Sequence, residues 1–306
     1  MIRLFARSPA PTPPPTARTF LIYHGIPQAV NGRGDDAYAG QLFSRWDDVV
    51  FAAGLCFRGH AGAHASTRLI VERARRLNPS AAFHGHVDLR AGDDPTEVAR
   101  AASAWQAMGA DGVMLTGAVD PGELVEAVHA VHDAGSAVLT WDADAHALCP
   151  TEDPRAPLGP GDTALLRSWV VDTDAHALTG GVDTMAGTRA AAEAARALRH
   201  RVGGGAVGGG AARHDGAPRE VPRALFGLVE AAALVFGLDG YGLCAANFAG
   251  PGPDENVAVA HRPSPLRVDH HPEEPCALDA AGVEASRADL GLTVRISPGS
   301  NSYRLD

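Results

Sequence analysis

The stretch PTEVARAASAWQAMGADGVMLTGAVDPGELVEAVHAVHDAGSAVLTWD, residues 95–142, holds two copies of one plan. A helix-like segment opens on a proline and closes on a glycine, and a short apolar run follows. Pro95 and Pro121 suit the first turn of a helix, where no amide hydrogen is needed, and Gly109 and Gly135 suit its end. The runs GVMLTG (112–117) and AVLTWD (137–142) are continuously apolar rather than alternating, the pattern of a strand covered on both faces.

The same plan extends in both directions. Strands are predicted at 19–25 (TFLIYHG), 48–54 (DVVFAAG), 81–89 (AAFHGHVDL), 164–171 (ALLRSWVV), 205–211 (GAVGGGA) and 240–245 (GYGLCA), with further helices at 65–77, 186–201 and 219–236. Eight strand–helix units in succession predict an α/β fold, a (β/α)8 TIM barrel over residues 18–250. Residues 1–17 are predicted as an N-terminal strand and a Pro-rich linker. Residues 251–306 form a Pro- and Gly-rich extension whose GLTVRIS and NSYRLD alternate like strands, giving a small β-rich appendage. A doubly wound sheet is the alternative. The single G-x-G-x-x-G, at 203–208, follows a predicted helix rather than a strand and lacks the context of a dinucleotide site.

Composition narrows the function. The chain has 306 residues, 45% of them hydrophobic, enough for a large core. A net charge of −10 leaves no basic stripe for nucleic acid. All 26 basic residues are Arg, so Schiff-base chemistry and a P-loop lysine are excluded. Cys56, Cys149, Cys244 and Cys276 are too scattered for a zinc framework or a disulfide scaffold. No apolar window is long enough for a membrane span. The N-terminus lacks the apolar core of a secretory signal, so synthesis in the cytosol without a signal peptide is expected, with a place in a virion or injection particle as the route out of the cell.

The stretches IYHGIPQAVNG, FSRWDDVVFAAGL, NPSAAFHGHVDLRAG, WQAMGADGVMLTGA, VHDAGSAVLTWDADA and LDGYGLCAANF, in that order and spacing, resemble the glycoside-hydrolase-like TIM barrels related to endo-α-1,4-polygalactosaminidase and the spherulin-4 proteins. The resemblance covers roughly residues 20–250. It implies a carbohydrate ligand and a site at the C-terminal ends of the strands. It also implies an acidic pair after the fourth strand, where this chain has Thr116 and Gly117, and a Glu on the sixth, where it has Arg167. Glycoside hydrolysis needs two carboxyl groups flanking the bond, so the expected chemistry is missing.

Other residues offer replacements. The sequence D-x-D-A-H-A-L occurs at 142–148 and again at 172–178, after the fifth and sixth predicted strands. Asp88, Asp142 and Asp172 are candidate catalytic carboxylates. A divalent metal, zinc or manganese, is the alternative, with His84, His86, Asp144, His146, Asp174 and His176 as candidate ligands; no other cofactor is expected. Asp equally serves as a cap or turn residue, and the paired motifs are most simply two neighbouring strand ends. In HGHVD, His84, His86 and Asp88 alternate and share one strand face; hydrogen-bonded polar residues near the barrel axis are the simpler reading. Tyr23, Trp46, Trp141 and Trp169 are candidates for stacking on sugar rings, with Arg167 at the same mouth, although aromatics also fill cores.

Two main functions are weighed, with an intracellular metabolic enzyme on the same fold as a third. One is a catalytically degenerate glycosidase-like barrel, a structural or carbohydrate-binding component whose partners are cell-surface glycans and the protein subunits of an assembly such as a phage tail, baseplate or injection particle. The other is an active glycoside hydrolase or metal-dependent hydrolase with a relocated Asp/His site.

Overall fold

The computed structural model describes residues 18–23, 25–51, 63–89, 94–117, 121–141, 163–172, 177–178, 206–214, 223–238, 240–245, 276–281, 284–297 and 300–305. Its elements run β1 (Arg18–Tyr23), a 3-10 segment (Pro27–Gly32), α1 (Asp36–Phe43), β2 (Asp48–Phe51), α2 (Ala63–Leu77), β3 (Ala82–Asp88), α3 (Pro95–Ala107), β4 (Gly112–Thr116), α4 (Pro121–Asp133), β5 (Ala137–Trp141), β6 (Thr163–Asp172), β7 (Ala177–Leu178), β8 (Ala206–His214), α5 (Arg223–Val235), β9 (Gly240–Ala245), β10 (Ala277–Leu278), β11 (Glu284–Arg287), β12 (Leu292–Ser297) and β13 (Ser300–Leu305).

Parallel pairings join β1–β2–β3–β4–β5–β6–β8–β9 and return from β9 to β1. The result is a curled parallel sheet. The two-residue β7 folds back antiparallel on the end of β6. A separate antiparallel sheet has the order β10-β11-β12-β13. The architecture is α/β. All eight predicted strands coincide with described ones, and GLTVRIS and NSYRLD become β12 and β13. The predicted helix 186–201 and the N-terminal segment 1–17 lie outside the described residues.

Local chemistry sets the helix ends. The Asp35 carboxylate accepts from the amides of Ala37 (2.7 Å) and Tyr38 (3.3 Å), capping α1. Asp94 does the same for α3 through Thr96 (2.8 Å), with Pro95 in the first turn. Each of α3 and α4 is followed by a glycine in the left-handed region, Gly109 at φ +92° and Gly135 at φ +76°. The Asn78 side chain closes the end of α2 and donates to the carbonyls of Ser44 and Trp46, tying that helix to the start of β2.

A repeated device fixes register. Asp47, just before β2, accepts from the Thr19 amide on β1 (2.8 Å); Asp111, just before β4, accepts from the Phe83 amide on β3 (2.7 Å). The outward faces of the strands pack against the helices. There Tyr23, Phe43, Phe51 and Phe83 form an aromatic run with successive centroid separations of 5.3, 4.9 and 5.9 Å. Among the described residues no helix is long and apolar enough to cross a membrane.

Candidate functional site

Strand β3 presents two faces. Phe83 is buried in the helix-facing core, and Gly85 lies so close beneath the Trp105 ring that an added Cβ would overlap it. Trp105 also donates its indole N–H to the His86 carbonyl at 3.2 Å. The alternation of a strand therefore places His84, His86 and Asp88 on the opposite face, the one enclosed by the curled sheet.

These three do not form one cluster. His84, 6% exposed, lies toward the N-terminal end of the strands, with its Nε2 3.5 Å from Asp48 Oδ1. Arg18 grips the same carboxylate through Nε (2.8 Å) and Nη2 (3.2 Å). Burial pushes the Asp48 carboxyl up, but hydrogen bonds and charge from His84 and Arg18 outweigh it and hold the group below its ordinary value. The second ring nitrogen of His84, Nδ1, is buried with no hydrogen-bond partner among the described residues.

His86 belongs to the other end. Its Nε2 shares a 2.6 Å hydrogen bond with Thr116 Oγ1 on β4. Burial lowers its pKa below the ordinary 6.5, with the charge of Asp88 opposing the shift. The imidazole is consequently neutral at neutral pH. Asp88 is exposed and level in register with Thr116. The last residues of β1 to β4 are Tyr23, Phe51, Asp88 and Thr116, with a single carboxylate among them.

The positions at which the sequence resemblance implies an acidic pair are now defined. Thr116 is engaged by His86. Gly117 has φ +121°, where side chains are rarely found, and an added Cβ would lie 2.9 Å from the Leu89 carbonyl carbon and nearer still to its oxygen. Leu89 is held there by its amide bond to the Thr116 carbonyl, 2.7 Å. The backbone at 117 is closed to any side chain.

Other expected residues fall elsewhere. Tyr23 and Trp46 are 2% and 1% exposed and belong to the core. The Tyr23 ring packs at a tilt against Phe43 of α1, and burial pushes its phenol up, so it is a packing residue rather than a sugar platform. Of the two D-x-D-A-H-A-L copies, the first lies outside the described residues and the second begins at Asp172, the last residue of β6. Trp141, the last residue of β5, pairs with Leu165, whereas Asp172 lies seven residues further along β6. At ~3.3 Å per residue that is up to about 23 Å of strand, so the ends of β5 and β6 are not level. Asp172 pairs antiparallel with Ala177, so the second copy spans a chain reversal. Arg167 and Trp169 lie on β6 where its register with β8 shifts, between Leu166 and Val170. Asp142, Asp144, His146, Asp174 and His176 lie outside the described residues.

Among the described residues, no three His, Cys, Asp or Glu side chains come together to hold a metal ion. The sequence did not disclose the Arg18–Asp48 and His86–Thr116 contacts, since each joins residues about thirty positions apart. The adjacent Asp47 and Asp48, which send their side chains to different partners, were the available signal.

No protein-family model and no curated protein matches the chain. Among solved structures, it is similar to a protein described as a dihydrodipicolinate synthetase from Pseudomonas aeruginosa (15% identity, 76% of this chain and 71% of that one, TM-score 0.43). It is also similar to 3-keto-L-gulonate-6-phosphate decarboxylase from Vibrio cholerae (13%, 79% and 94%, 0.41) and to 2,3-dimethylmalate lyase, a PEP mutase/isocitrate lyase superfamily member (15%, 77% and 77%, 0.38). Likenesses this slight assign no activity.

Proposed function

We propose that the chain is a (β/α)8 barrel of the glycosidase-like kind that binds carbohydrate at the C-terminal ends of its strands without hydrolysing it. The strand pairings that return from β9 to β1 support the barrel, and the sequence stretches similar to polygalactosaminidase-type barrels support the ligand class. One observation carries the loss of hydrolysis: the two positions implied for acidic groups are a threonine tied to His86 and a glycine whose backbone admits no side chain. At the ends of β1 to β4 Asp88 is the one carboxylate, where hydrolysis needs two carboxyl groups flanking the bond. A neutral imidazole, a hydroxyl and a carboxylate at adjoining strand ends are instead hydrogen-bonding groups suited to sugar hydroxyls. The same reading gives the barrel, with the antiparallel sheet β10–β13 appended, a place in a larger assembly such as a tail or baseplate.

The test is titration with α-1,4-linked galactosamine oligosaccharides by calorimetry, with reducing ends measured in parallel. Saturable binding without new reducing ends is expected. His86→Ala and Asp88→Asn should each weaken binding about 3- to 10-fold, the loss of one hydrogen bond of ~0.5–1.5 kcal/mol. Accumulating reducing ends that Asp88→Asn abolishes would establish the active, relocated hydrolase instead.

A further inference from the structure

The strand register shows what surrounds the unpartnered Nδ1 of His84. One row of paired residues runs from Ile22 on β1 through Val50, His84 and Gly112 to Ala137 on β5. A second runs from Trp141 on β5 through Leu165, Gly208 and Gly240 to Arg18 on β1. Trp141 lies four residues beyond Ala137, and Arg18 four before Ile22, so one circuit of the eight strands shifts the register by eight residues. On the barrel reading above, on which this inference rests, inward positions of alternate strands then form layers that climb one residue per strand. Tyr241 belongs to the helix-facing core, which puts Gly240 and its partner Gly208 on the enclosed face with His84. The layer of His84 includes Gly208, and the next layer toward the strand starts includes Asp48, Gly112 and Gly240.

Bulky branched side chains ordinarily fill such layers. Around His84 three positions are glycine instead. Gly112 is level with it on the neighbouring strand, and Gly208 lies on β8, four strands away in either direction and so across the enclosed space. Gly112 has no room to be larger: an added Cβ would lie 2.9 Å from the Ala137 carbonyl carbon and nearer still to its oxygen. With Nε2 turned to Asp48 on β2, Nδ1 on the other edge of the ring points away from that strand, toward the side that Gly112 leaves bare. We infer that this space holds a buried water hydrogen-bonded to His84 Nδ1. Water suits either form of the ring. It donates to a bare Nδ1 when Nε2–H is given to Asp48, and it accepts from Nδ1–H when both nitrogens carry protons. A second bond is available at Asp48, whose carboxylate has about four lone-pair sites and meets Arg18 and His84 with three contacts. An enclosed water needs about 2–4 such partners. A dry void or an apolar guest would leave a buried ring nitrogen unpaired, which weakens folding.

Two measurements on the full chain test this without any sugar, so their outcome is separate from that of the binding titration. A crystal structure should show one water at about 2.7–3.2 Å from His84 Nδ1. Water-selective cross-relaxation NMR should give a cross-peak, with the sign of long-lived water, at the ring proton between the two nitrogens of His84. Gly208→Leu places a side chain across the same space, and the cross-peak should be lost there while the amides of β1 and β3 keep their native shifts. Should that variant fail to fold, Gly208→Ala takes its place, with the cross-peak weakened. A dry His84 ring in the folded parent chain overturns the proposal. So does density for a protein group bonded to Nδ1, or for a molecule larger than water. A cross-peak unchanged in the folded Gly208 variants also overturns it, because the water would then lie elsewhere.

Discussion

Putting a carboxylate back where a hydrolase would need one should fail at position 117 for a backbone reason. In Gly117→Asp the new Cβ meets the Leu89 carbonyl, a group that cannot rotate away because the Leu89 amide is fixed to Thr116. Two costs add: ~1–3 kcal/mol for a side chain at a disfavoured φ and ~1–3 kcal/mol for overpacking against backbone, together about 2–6 kcal/mol. That is a large share of the ~5–15 kcal/mol by which folded domains are stable. Gly117→Ala should cost nearly as much, because the Cβ and not the charge is at fault. Thr116→Asp stands in contrast: the site already holds a half-buried polar group, and a carboxylate beside His86 would gain an ion pair once the imidazole is protonated. Its cost should stay under about 2 kcal/mol, within the range of ordinary substitutions. Thermal and urea unfolding followed by tryptophan fluorescence compare the three variants. Gly117→Ala within ~0.5 kcal/mol of the parent, the usual scatter of neutral surface changes, would refute the closed-backbone argument.

Gly85→Ala should destabilise by about 1–3 kcal/mol or more, since its Cβ falls within the Trp105 ring, and combining it with Trp105→Ala should cost less than the sum of the two single changes. His86 should make stability pH-dependent. Its folded pKa lies below the unfolded value near 6.5, so the unfolded chain binds the proton first, and stability falls as pH drops from about 6.5 toward the folded pKa. His86→Gln should flatten that part of a melting-temperature profile, and an unchanged slope would remove His86 as its source.

The eight strands were legible because a strand covered on both faces is a solid apolar run, and runs such as FLIY and GVMLT have few other uses. The helices between them were legible where a proline opened and a glycine closed them. The short α1 was not. Its residues DAYAGQLF carry little helical periodicity, and its clearest mark is Asp35, the residue that caps it. The site was legible in alternation only. HGHVD showed that His84, His86 and Asp88 share a face, but their partners depend on register between strands, which Asp47 and Asp111 set by reaching across to a neighbouring amide. The repeated D-x-D-A-H-A-L motif depends on register in the same way, its second copy beginning at Asp172, seven residues beyond the point where β6 pairs with Trp141. Equal sequence does not imply equal height in a sheet, and β6 continues past the level of β5 before the chain reverses.

One strand thus serves two ends of the sheet. Toward its start, His84 and Arg18 converge on Asp48; in parallel α/β barrels that end contributes stability rather than chemistry. Toward its finish, His86 is held from behind by Trp105 and from the side by Thr116, while Asp88 beyond it stays open to solvent. Positioning of this kind costs something, since a histidine inside a sheet gives up hydration that an apolar residue would not need. Packing alone would favour an apolar side chain at 86, where Met114 beside it already fills the same layer. The hydrogen bond to Thr116 supplies part of what the imidazole gives up. Among the last residues of β1 to β4 Asp88 is the one carboxylate, next to a glycine whose backbone cannot carry another.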